Sequence, residues 1–296
     1  MADTLENLHR RKESAAELDS VVRTMKAMAA SGIGQYEAAV KSLQDYYRTV
    51  TLSIYASFIN QHMNASPASI ANQKENETIA IVFGSDQGLV GRFNDVLADF
   101  VQHQLQQIQG NKKIWIVGER MLPSFNEKNF IASKTFTVPN SVDGITSLVN
   151  EVLIKIEEAR EQHHLQSLYL FHNAPLHEAG YEQTASQILP LDGQWKKDIG
   201  ITAWPTKLLP GVIGGNEKLL PALIREFLFM SLYKACAESL ASENASRLEA
   251  MQRAEKNIGE MLDDLNQTYN RLRQSTIDEE LFDVVAGFEA LKNKNE

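Results

Sequence analysis

The chain has 296 residues, 43% of them hydrophobic, a formal net charge of −9 and a single cysteine. That length allows one or two domains with a sizeable core, and an acidic balance with no basic block argues against nucleic acid as the main partner. Cys236 has no partner for an internal disulfide, which suits a reducing compartment, and its place in a helical pattern marks it as a packed thiol.

No apolar run reaches the roughly 18 residues needed to cross a bilayer. The opening residues carry acids early and lack both a secretory h-region and the look of a transit peptide. The expectation is a cytoplasmic chain whose membrane association comes only through a partner.

In chain order, residues 5–63 carry a helical pattern with Leu8, Arg11, Ala15, Leu18, Val22, Met25, Ala29, Gly32, Tyr36, Ala39, Leu43, Tyr46 and Val50 at alternating spacings of three and four. A period of 3.5 specifies a helix that supercoils with a partner. Gly32 and Gly34 each cost about 1 kcal/mol relative to Ala inside a helix, so they mark a close approach or a local bend. Residues 64–76, with Pro67 and polar filler, read as a loop and boundary.

The character then changes. Residues 78–83, 113–117 and 167–172 are short apolar runs with the look of buried strands, and a weaker strand is expected at 134–138. Helical patterns at 93–108, 120–126 and 142–163 separate them. Alternating strands and helices predict a Rossmann-like α/β domain over residues 77–209 with a mostly parallel sheet. Its tail, 174–209, is proline-bearing, and Ile188 to Leu191 is a candidate edge strand. Residues 210–216 read as a glycine-bearing hinge.

The last stretch, 216–296, is a second long helix. Its seam runs through Leu223, Phe227, Met230, Lys234, Ala237, Ala241, Asn244, Leu248, Met251, Glu255, Ile258, Leu262, Leu265, Tyr269 and Leu272. At 1.5 Å per residue the unbroken run from Leu219 to Leu291 reaches roughly 110 Å. The two terminal helices cover each other most simply as an antiparallel coiled coil, flanking the central domain; separate packing of each on a globular core stays open as the alternative.

The sharpest candidate for chemistry is the turn from Gly84 to Asn94, where nucleotides often bind in α/β folds. Arg92-Phe93 follows Gly91 where a P-loop needs Lys-Ser/Thr, and the glycine spacing is not that of a dinucleotide loop. A tight structural or partner-contacting turn is the better reading. His163-His164 reads as a solvated helix end, and His172 with His177 and Glu178 lacks a third metal ligand. Ser85 and Asp86 lack an adjacent histidine. No catalytic residue, metal or cofactor is expected. An α/β nucleotide-binding protein and a coiled-coil scaffold both remain as rival readings.

Four blocks carry a resemblance. Residues 23–31 (Arg-Thr-Met-Lys-Ala-Met-Ala-Ala-Ser) are similar to a helix of the gamma subunit of F-type ATP synthases, and residues 85–94 resemble that family's S-D-R-G-L-C-G turn. Residues 242–251 resemble its S-E-x-x-A-R-x-x-A-M segment, and 269–281 its end. Gln87, Val90 and Asp278 stand where the family pattern has Arg, Cys and Thr.

The resemblance implies a non-catalytic rotor shaft that carries torque between an ion-driven membrane ring and a catalytic hexamer. It implies alpha and beta subunits, an epsilon subunit and a membrane c-ring as partners, without a cofactor. It places the chain peripherally on the cytoplasmic side of a bacterial inner membrane, in a divergent branch. It further implies that Met25 and Lys26, with Asp86 and Val90 of the turn, face the moving lever of a beta subunit. Arg273 and Gln274 would meet its catch loops, and Glu243 and Arg247 would stiffen the coil.

Overall fold

The computed structural model describes residues 4–62, 77–162, 165–176, 180–191 and 216–292. Helix α1 (Leu5–His62) is followed by β1 (Glu77–Phe83), α2 (Phe93–Gln107), β2 (Asn111–Val117), a single 3₁₀ turn, α3 (Leu122–Asn126), β3 (Ala132–Phe136), α4 (Val142–Glu161), β4 (Leu165–Pro175) and β5 (Tyr181–Leu189). The last element, α5, is one helix over Asn216–Lys292, 77 residues long. The expected loop at 64–76, His163-His164, His177, Glu178 and the expected hinge at 210–215 lie outside the described residues. Contacts divide the chain into two compact units, Met1–Met28 with Leu248–Glu296, and Ala29–Arg247, so each long helix contributes to both.

In the first unit, Leu8 and Ala15 are buried with Leu265, and Val22 with Met251 and Ile258. Residue numbers rise along α1 as they fall along α5, so the pair is antiparallel. The buried row of α1 repeats every seven residues, as a coiled-coil seam requires. Its second row differs from the sequence expectation by one position. Arg11 and Leu18 are exposed, Leu18 by 53%, while Lys12, Asp19 and Lys26 are partly covered. The reason is that these polar side chains have partners. Lys12 Nζ lies 5.9 Å above the Tyr269 ring, and Asp19 accepts from Arg23, which also reaches Glu255.

The second unit contains a five-stranded sheet in the order β3-β2-β1-β4-β5. The first three pairings are parallel and β4 with β5 is antiparallel. β1, the C-terminal half of β2 and the middle of β4 are buried on both faces, which is why they read as continuous apolar runs. Ile79, Ile81, Phe83, Trp115, Leu168 and Leu170 point to one side, where α4, α1 and α5 cover them. Ala80, Val82, Ile114, Ile116 and Phe171 point to the other, against α2 and α3. The edge strand is longer than expected, Tyr181–Leu189 instead of Ile188 to Leu191. Its polar residues (Glu182, Gln183, Ser186, Gln187) hide it from an apolar-run search.

Segment 227–242 of α5 is buried on nearly every side. This follows from its place among sheet, α1 and α4, and explains a composition without a polar face.

Candidate functional site

The strand order reverses between β1 and β4, and in open α/β sheets the crevice beyond the strand ends at such a point is where ligands bind. Here this chain's own atoms occupy that position.

The turn after β1 is closed from within. Ser85 N–H donates to Asn94 Oδ1 at 3.2 Å, and Asn94 Nδ2 donates to Ser85 Oγ at 2.9 Å. A backbone amide that would face a phosphate is thus spent on the first turn of α2. Gly118 lies against it from β2. At φ +108°, a Cβ at Gly118 would stand 2.8 Å from the Ser85 backbone, so glycine is required there. Asp86 ties the turn to two further loops: Oδ1 accepts from Glu119 N–H and Oδ2 from Val138 N–H, both at 2.6 Å.

Helix α5 fills the rest of the crevice. Ser239 Oγ donates to the carbonyl of Phe83, the last residue of β1, at 3.0 Å. Ser242 Oγ donates to the carbonyl of Asn173 near the end of β4 at 2.9 Å, and Ser246 Oγ to that of Val90 in the turn at 2.6 Å. His172 Nε2 on β4 is 2.8 Å from Glu238 Oε2. Strand-end carbonyls that a ligand or water would otherwise satisfy are satisfied by the helix. Among the described residues no group of acidic, cysteine or histidine side chains is placed to hold a metal.

The residues singled out from the resemblance are distributed unevenly. Val90 is buried, with its carbonyl taken by Ser246, and Asp86 has both oxygens engaged inside the chain. Glu243 and Arg247 are buried and paired with each other at 2.5 Å, one turn apart on α5. Burial raises the Glu243 carboxyl pKa, Arg247 opposes this, and the nearby charge of Asp86 adds to the rise. Met25 is half-buried against Val22 and Met251, and Lys26 is held by Glu255. Of these residues only Arg273 and Gln274 are exposed. Missed from the sequence were Leu89, 62% exposed at the tip of the turn with φ +63°, and the serines of α5. The spacing Ser239, Ser242, Ser246 inside an apolar helix was the available signal.

The ATP synthase family model matches residues 4–291. The chain belongs to the ATP synthase family. Within it, the chain is 26% identical over 292 residues to the ATP synthase gamma chain of Fusobacterium nucleatum subsp. nucleatum, covering 97% of this chain and 99% of that one. It is 27% identical to the gamma chain of Anaeromyxobacter sp., covering 98% and 99%. Its fold is shared with a chain of the Euglena gracilis mitochondrial ATP synthase OSCP/F1/c-ring structure (TM-score 0.64, 14% identity, 99% and 96% covered). A chain of the Tetrahymena thermophila mitochondrial ATP synthase central stalk and c-ring is also similar (TM-score 0.57, 16% identity, 79% and 99% covered).

Proposed function

We propose that this chain is the central-stalk rotor subunit of an F-type ATP synthase, passing torque between an ion-driven membrane ring and the alpha and beta subunits of the catalytic head. The observation that carries this reading is the occupied crevice: the place at the strand-order reversal where open α/β sheets commonly bind ligands is built as a socket for α5. A fold that gives up its ligand site to grip a helix is suited to mechanics. The antiparallel pairing of α1 and α5 and the family membership of the whole chain support the same reading.

By this reading the chain is non-catalytic and binds no cofactor of its own. The motif resemblance supplies the expectation of alpha, beta and epsilon subunits as partners, and the solved structures of similar fold are of a central stalk with c-ring and of OSCP/F1/c-ring, which supports a ring as a further partner. No helix among the described residues is long and apolar enough to cross a membrane. The rotor reading has the chain attached through those partners to a bacterial inner membrane on its cytoplasmic side. Arg273, Gln274, Met25 and Lys26 are the side chains proposed to face the catalytic head. Leu89, at the exposed tip of the turn, takes the place there that Val90 cannot fill.

The test is to tag the chain, recover it from its own cells in mild detergent and weigh what accompanies it while assaying ATP hydrolysis. Three copies each of two nucleotide-binding subunits per copy of this chain, with hydrolysis, are expected. A lone chain or a homodimer would sink the proposal.

A further inference from the structure

Rotation of α5 about its own axis is opposed by unlike forces in the second unit. Its apolar contacts with the sheet and α4, through Phe227, Leu228, Leu232 and Leu240, are numerous but non-directional, and they resist lifting more than turning. The hydroxyl contacts differ, because a hydrogen bond weakens steeply when its angle departs from linear.

We propose that Ser239, Ser242 and Ser246 are positioning residues that fix the rotational angle of α5 against the sheet; the proposal rests on the rotor reading above. At 100° per residue the three hydroxyls fall within an arc of about 60° and span about 10 Å of the helix axis. Their acceptors belong to three separate segments: the end of β1, the end of β4 and the turn at Val90. A one-residue slip of the helix would swing all three away together and leave buried carbonyls without donors. All three serines are buried, so water does not replace the lost bonds. His172 and Glu238 close the same seat from the flank. A helix held this way turns only with the sheet it sits on, and torque arriving along α5 passes into the α/β unit without slack.

The experiment uses the assembled complex, with the head fixed to a surface and nucleotide removed. A bead is attached through Ile131→Cys, at a side chain 86% exposed; the native Cys236 is buried and does not compete for the label. The angular spread of the bead is recorded for this parent and for Ser239→Ala, Ser242→Ala and Ser246→Ala, singly and combined. The variance should at least double in the triple variant and rise less in each single one. An unwidened spread in the triple variant would overturn the proposal, and so would failure of all three single variants to assemble, which would make the stripe a folding requirement. A parent chain that joins no ring of nucleotide-binding subunits would sink the rotor reading instead, and this inference with it.

Discussion

Lys26 of α1 and Glu255 of α5, 229 residues apart in sequence, meet with Nζ 2.5 Å from Oε2. Arg23 reaches the other oxygen of the same carboxylate at 3.4 Å, so one acid on α5 gathers two bases on α1. The glutamate that breaks the apolar seam of α5 is therefore the residue that holds its register against α1.

This contact predicts a pH dependence. The hydrogen bond from Lys26, with the charges of Lys26 and Arg23, holds the Glu255 carboxyl below its usual pKa. A depressed folded pKa means a contribution present above the unfolded value, about 4.3, and lost as pH falls through the lower folded value. The melting temperature of the chain should exceed that of Glu255→Gln at neutral pH, with the gap closing below about pH 4. A gap that persists unchanged in acid would rule out the charge as its cause.

Asp86 offers a graded series. Asp86→Asn keeps one acceptor and Asp86→Ala neither, and bonds to a charged group contribute about 1.5–3 kcal/mol each. Urea unfolding should rank wild type above Asn above Ala, with Ala lower than wild type by about 3 kcal/mol or more. Equal stability of all three would mean that the two amides find other acceptors.

The glycines of α1 separate cleanly. A Cβ at Gly34 meets nothing within 4 Å, whereas one at Gly32 stands 3.1 Å from the Asn244 side chain. Gly34→Ala should stabilise the helix by about 0.5–1 kcal/mol. Gly32→Ala should gain less, since Asn244 must shift, and Gly32→Leu should lose stability outright. Thermal melts of the three variants check the order.

Arg247 neutralises a buried glutamate. Arg247→Met should cost about 3–5 kcal/mol because Glu243 is left buried without its cation, and adding Glu243→Gln should recover much of it. A double-mutant cycle by urea unfolding measures the coupling. Additive losses would show that the pair does not interact as the geometry requires.

Cys236 is fully buried, and its surroundings push the thiol pKa far up. Native chain at pH 8 should leave it unmodified by iodoacetamide over hours, while unfolded chain reacts within minutes. Rapid labelling of native protein would contradict its packing against Tyr36 and Leu240 in the core.

Much of this was legible in the residues, and the exceptions share a cause. Heptad rows such as Leu8, Ala15, Val22 and Met251, Ile258, Leu265 stand out because burial there is apolar and periodic. The continuous strands did so because both faces are covered. Lys12 and Lys26 were hidden because their coverage comes from an aromatic ring and a carboxylate across the coil, which composition along one helix does not reveal. β5 was hidden because only Ile188 along it is fully buried. The turn announced itself through its glycines, but that Val90 turns inward and Leu89 outward depends on a positive φ at Leu89. The serine stripe lay in plain spacing, yet its meaning depends on carbonyls supplied more than 65 residues away.

The first unit is assembled from the two extremes of the chain, Leu8 against Leu265 and Val22 against Met251. During synthesis Leu8, Ala15 and Val22 leave the ribosome more than 200 residues before any of these partners exists. The leading helix must therefore wait with its apolar row uncovered for the whole time that the sheet takes to fold, a window in which it is open to chaperones and to misassociation. A chain cut short before residue 251 therefore presents Leu8, Ala15 and Val22 without the Met251, Ile258 and Leu265 that bury them in the complete coil.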